Sequence, residues 1–146
     1  YEQKPYAVKD LISREEIHDG ERVGVAFTYS YCHSLIRQEV TILGNSRKID
    51  FKTELQWNEP HQILKAHFPF ALRIREARYD IQYGSILRPT TQNDSWQSAK
   101  FEVCGQKWAD MSEHSYGVAL LNDGKYGYAG KENAHRRRHK HRHKRP

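Results

Sequence analysis

KIDFKTELQW, residues 48–57, decides the fold. Ile49, Phe51, Thr53, Leu55 and Trp57 share one parity, and Lys48, Asp50, Lys52, Glu54 and Gln56 share the other. Successive side chains of a strand point to opposite faces, so a period of two gives one face to a core and one to polar surroundings. A helix would scatter the same apolar groups around its circumference. The pattern predicts an antiparallel strand of a sandwich, with Phe51 and Trp57 in the core. A lone strand cannot hide its own apolar face, so the rest of the fold must cover it.

Outward from that strand the alternation continues. Residues 22–29 read RVGVAFTY, with Val23, Val25, Phe27 and Tyr29 against Arg22, Gly24, Ala26 and Thr28. Residues 35–43 carry Ile36, Val40 and Ile42 on one side, and Gly44-Asn45-Ser46 turns the chain into 48–57. Short connections predict a meander. Residues 1–21 read as polar and irregular, with a turn at Asp19-Gly20. Downstream, 63–68 is apolar, but Pro69 lacks the amide that a ladder needs, so an edge strand is expected there. Residues 77–83, 99–104 and 116–121 are predicted strands, and 84–96 is predicted to be the longest polar loop. Asn122-Asp123-Gly124 signals a turn before a returning strand at 125–128. No helical period of useful length and no internal repeat is present. The expected class is all-β, a mostly antiparallel β-sandwich that forms an incomplete part of a larger β domain.

The chain has 146 residues, enough for one modest domain. Its net charge of +6 is a property of one end. Residues 131–146 carry eight Lys or Arg and one Glu, a balance of +7, and the other 130 residues balance to −1. The organisation expected is a polar segment at 1–21, a β domain at 22–130 and a basic tail at 131–146. HRRRHKHRHKRP, residues 135–146, has no apolar surface with which to order itself. Such a tail can attract polyanions or acidic lipids in a salt-sensitive way, or catch a metal ion with its four histidines. It can equally be a solvated end with no role. Cys32 and Cys104 make no disulfide framework, and free buried thiols are expected. No apolar run is long enough to cross a bilayer, and neither a secretory signal nor an initiating Met is present. The start at Tyr1 fits a piece of something longer.

Chemistry-bearing side chains are present, but their spacing fixes no site. Trp57, Trp96 and Trp108 can stack on a sugar ring or pack on a sheet; Trp57 continues the apolar face of its strand and is read as core, and Trp96, ending a polar loop, has more of a case as a ligand platform, with packing against the sheet still the favoured role. Asp94, Asp110, Glu113 and Asp123 offer carboxylates, yet nothing pairs two of them across a bond as a glycosidase requires, and Asp123 has a turn role available. His61, His67 and His114 lack compact ligand spacing. Asn93-Asp94-Ser95 matches the glycosylation acceptor pattern, which is silent without a secretory route.

Three stretches carry a family likeness. WNEPHQILKAHFPF at 57–70, YDIQYGSILRPT at 79–90 and SWQSAKFEVCGQKWADMSEHSYGVALLNDGKYGY at 95–128 resemble retaining α-mannosidases of glycoside hydrolase family 38, nearest the cytosolic or vacuolar branch. The likeness spans roughly residues 22–128, and the tail departs from it. It implies a piece of the large β region behind an N-terminal α/β barrel, in a cytoplasmic or vacuolar enzyme that hydrolyses terminal α-mannose. In that family the barrel supplies the aspartate nucleophile, the acid/base carboxylate and the ligands of a zinc ion. No residue of this chain matches those motifs. Catalytic, cofactor-binding and metal residues are therefore none, substrate-binding residues stay unassigned, and zinc belongs only to the full-length parent. The implied partner is the missing barrel, with self-association through uncovered apolar surface. The alternative is a stand-alone carbohydrate-binding or interaction module with a polyanion-binding tail. An unclosed sheet would favour the first reading, and a complete sandwich with an open aromatic groove the second.

Overall fold

A computed structural model describes residues 6–131. They fall into two compact units that divide between Lys65 and Ala66. Every sheet is antiparallel.

The first unit is one four-stranded meander. Its strands are β1 (Asp10–Asp19), β2 (Arg22–Tyr31), β3 (Ser34–Leu43) and β4 (Ile49–Gln56). The register aligns Val23 with Ile42 and Ile42 with Ile49, then Val25 with Val40 and Val40 with Phe51. Those rows make one apolar face, as the alternation requires. The other face is charged: Arg37 pairs with Glu39 and Glu15, and Lys52 pairs with Glu54. Gly24 exists because its partner strand is so close. A Cβ there would collide with the Val40 carbonyl oxygen.

Burial does not divide between the two faces as the simple expectation has it. On the charged face Ala26 and Thr41 are each 2% exposed, Thr41 under the Arg22 guanidinium that donates to its Oγ1. On the apolar face Phe51 is 45% and Ile49 54% exposed. Phe51 is thus not fully buried. A single sheet layer has no second layer of its own to cover that face. Trp57 lies just past β4, half-buried, and stacks on Tyr31 with centroids 5.9 Å apart.

Residues 10–19 correct the expectation of an irregular start. The bulge between Leu11 and Ser13 leaves Ile12 unpaired and breaks the parity of the apolar residues. Asp19-Gly20 is a turn as expected, and it closes the β1–β2 hairpin. The edge strand expected at 63–68 is not formed. Phe68 and Phe70 flank Pro69 and stack on each other instead, 6.5 Å apart.

The second unit pairs β5 (Glu76–Ile81), β6 (Gly84–Pro89), β8 (Trp108–Ser112) and β9 (Gly117–Leu121) in one sheet of order β6-β5-β8-β9, and β7 (Val103–Cys104) with β10 (Gly127–Tyr128) in a separate two-stranded ribbon. One short helix, α1 (Ser95–Ala99), precedes the ribbon. Residues 84–89 therefore form a strand where a loop was expected, turned by Gln82 and a fully exposed Tyr83 at φ 62°. The segment 125–128 returns to β7 rather than to β9. The core joins sheet to ribbon. Ala77, Tyr79 and Ala109 meet Tyr128, with Ile74, Val103, Met111 and Leu120 around them. The Tyr79 and Tyr128 rings meet edge to face at 5.5 Å.

Candidate functional site

The second unit carries a cleft of about 210 Å³ beside β6. Its architecture begins with Arg88-Pro89-Thr90. Thr90 is buried and fastens the strand end: its amide donates to Arg75 O at 2.9 Å and its hydroxyl to Ile74 O at 2.6 Å. Pro89 ends the ladder opposite Glu76. Arg88 pairs with Ala77 as Ile86 pairs with Tyr79, so the pleat sends Arg88 to the same face as the core residues. Its Nε is buried without a hydrogen-bond partner. The far wall is local structure from α1 onward. Asp94 caps α1 through the Gln97 amide at 2.6 Å, and Gln97 Oε1 accepts from the Asn93 amide at 3.0 Å. Lys100, Phe101 and Glu102 then line the opening.

Burial pushes the Tyr79 phenol up, against a backbone hydrogen bond with Gly130 and the Arg88 cation, which pull it down. Burial also raises Tyr128, whose phenol donates to Gln106 O at 2.9 Å. In the first unit, the hydrogen bond with Glu39 raises Arg37 and correspondingly lowers Glu39, while Glu54 raises Lys52.

A second polar cluster sits at the Cys32-His33 turn of the first unit. Glu59 has a side chain only 5% exposed. Its Oε1 accepts from the His33 amide at 2.7 Å and from Ser34 Oγ at 2.9 Å. Asn58 donates to His33 O at 2.9 Å. This clamp ties the hairpin to residues some 25 positions later. Sequence reading did not single it out, because no alternation or ligand spacing marks Asn58 and Glu59.

The residues singled out by sequence have mostly structural employment. Asp94 is a helix cap, Asp110 accepts from Ser112 Oγ at 2.8 Å, and Glu113 accepts from the Arg73 amide. Asp123 belongs to a turn in which Asn122 Oδ1 accepts from the Gly124 and Lys125 amides. Trp96 is 80% exposed on α1, and Trp108 is half-buried on β8. His61, His67 and His114 are all exposed, and among the described residues no three His, Cys, Asp or Glu side chains gather as metal ligands. Both cysteines are free, as expected, but exposed rather than buried. Cys32 stands at φ 47° in a hairpin turn, and Cys104 lies on the two-stranded ribbon, neither of which encloses a side chain. Among the described residues no helix is long and apolar enough to cross a membrane. The histidines and most cations of the tail lie outside the described residues.

Comparison with known proteins agrees with the motifs. The sequence matches the family described as "Glycosyl hydrolases family 38 C-terminal domain" over residues 1–136. It is 49% identical over 94 residues to "Alpha-mannosidase G" of Dictyostelium discoideum. It is 46% identical over 95 residues to "Alpha-mannosidase 2C1" of Homo sapiens, and 46% identical over 99 residues to "Alpha-mannosidase" of Saccharomyces cerevisiae. These alignments take in 64%, 65% and 66% of this chain, and 9% of each relative.

Proposed function

Because the chain belongs to the glycosyl hydrolase family 38 C-terminal domain family, we propose that it serves as a non-catalytic β region of an α-mannosidase. The parent activity is hydrolysis of terminal α-mannose through a glycosyl-enzyme intermediate. A barrel outside this sequence carries that chemistry. The carrying observation is a family match that runs through both compact units, over residues 1–136. The open apolar face of the first unit supports it: a sheet with Ile49 and Phe51 half-uncovered needs a partner layer.

The described residues do not fit the zinc ion of such a parent. Their histidines are dispersed, and a catalytic zinc needs three protein ligands around one point. Zinc in this proposal is held elsewhere in the parent. Cytoplasmic or vacuolar placement follows from the branch that the motifs resemble. Self-association through the apolar face and salt-sensitive polyanion binding by residues 131–146 belong to the same proposal.

An assay of the purified chain tests it. No product above background is expected from a chromogenic α-mannoside, with or without added zinc. Saturable turnover that co-purifies with the chain would overturn the non-catalytic assignment. Sequencing the genomic DNA upstream tests the parent, where an in-frame barrel is expected.

The second reading, a stand-alone carbohydrate-binding or interaction module, draws on Trp96, whose exposed ring offers a stacking platform. A binding signal for mannose that Trp96→Ala abolishes would favour it.

A further inference from the structure

We infer that the outer edge of β4 is a self-pairing surface, on which two copies of this chain join antiparallel about a two-fold axis at Phe51 and run their first-unit sheets into one. This rests neither on the α-mannosidase reading nor on packing of the apolar face against another layer. β4 ends the order β1-β2-β3-β4, so among the described residues no strand lies beyond it. A strand edge carries a row of amide and carbonyl groups that a further strand can take up, main chain to main chain. Folds commonly blunt such edges with proline, a bulge or a very short strand. β4 has none of these. It runs eight residues without proline or glycine, pairs with β3 without a register shift, and is exposed at every residue but Asp50. The opposite edge strand, β1, carries a bulge between Leu11 and Ser13.

The charges name the occupant. Lys48, Asp50, Lys52 and Glu54 stand on one face and alternate in sign. Along the strand Lys48 meets Asp50 at 2.6 Å and Lys52 meets Glu54 at 3.0 Å. In a two-fold pairing centred on Phe51, Lys48 stands opposite Glu54 of the second copy, and Asp50 opposite Lys52 of the second copy. The symmetry repeats both pairs, so every one of these charges gains an opposite neighbour across the joint. On the other face Phe51 meets its own symmetry mate and Ile49 meets Thr53, which carries the row Val25-Val40-Phe51 from one sheet into the next. Neighbouring registers lack this match. A slip by two residues sets Asp50 against Asp50 or Lys52 against Lys52, and a slip by one sets Phe51 against a charged residue. Like charges directly opposite disfavour a strand pair. A strand that complements itself in one register and repels itself in the next fits a second copy better than an arbitrary peptide.

Charge-swap variants of the full chain test this, read by sedimentation velocity at low salt. Asp50→Lys sets lysine against Lys52 at both symmetric positions, and Lys52→Asp sets aspartate against Asp50. Either change alone should weaken dimer formation about tenfold, because the two-fold counts it twice. An equimolar mixture of the two variants restores opposite charges at both positions and should recover the dimer as a heterodimer. A second measurement needs no variant. Carbodiimide joins a lysine amine to a carboxylate in contact with it, so a mixture of ¹⁴N and ¹⁵N chains should yield mixed-isotope peptides that link Lys52 to Asp50 and Lys48 to Glu54. An unaltered chain that stays monomeric at every concentration would overturn the inference, as would mixed-isotope links that avoid β4. So would association that the variants and their mixture leave unchanged, which would place the contact on the apolar face instead of the edge.

Discussion

At the scale of single residues, geometry decides more than chemistry. Gly24 faces the carbonyl of Val40 across the β2–β3 ladder so closely that no side chain fits. Gly24→Ala is expected to destabilise the first unit by about 1–3 kcal/mol. Gly84→Ala, with open space around the added methyl, should stay within about 0.5 kcal/mol. Urea unfolding of both variants reads the difference, and equal losses would contradict the close approach. Tyr79 gives a pH dependence. Burial raises its phenol pKa in the folded state. The folded chain therefore binds its proton more tightly than the unfolded chain. That contribution is complete below the ordinary tyrosine pKa of about 10 and is lost as pH rises through the folded value. The urea midpoint should fall above pH ~10, and less steeply in Tyr79→Phe. Parallel profiles would remove Tyr79 from the alkaline transition.

At the scale of elements, hairpins are held by contacts that sequence periodicity does not encode. Glu59 bonds two donors at the β2–β3 turn. Glu59→Ala leaves the His33 amide and Ser34 hydroxyl without that acceptor, and should cost about 1–3 kcal/mol. Glu59→Gln keeps an acceptor oxygen and should cost less. Equal losses by urea unfolding would show that packing, and not hydrogen bonding, holds the turn. Elements whose alternation is clean are legible in the sequence. β2, β3 and β4 each place apolar groups on one face over most of their length. β1 is illegible because a bulge at Ile12 shifts its parity. β6 hides because Arg88 takes a core-facing place that an apolar residue would normally mark. β8 buries Ala109 and half-buries Met111, too weak a signal between Trp108 and Ser112. The cleft is legible only as the motif Arg88-Pro89-Thr90. Its far wall comes from α1 and the residues after it, so no local pattern announces it.

At the scale of the whole molecule, the central feature is an apolar sheet face without a second layer in its own unit. Phe51, 45% exposed, tests how much that face contributes in the isolated chain. Full burial would make Phe51→Ala cost roughly 3–5 kcal/mol. The observed exposure predicts less than about 2 kcal/mol. In the proposed reading this face packs against the rest of the parent protein. The relatives are about eleven times longer than the aligned segment, which leaves ample chain to cover it. An isolated copy has other copies as its nearest source of apolar cover. Sedimentation velocity at several concentrations, for the full chain and for a version lacking residues 131–146, measures this directly. Self-association that rises with concentration and persists without the tail is expected. A concentration-independent monomer with cooperative unfolding would contradict the uncovered face and show a self-sufficient domain.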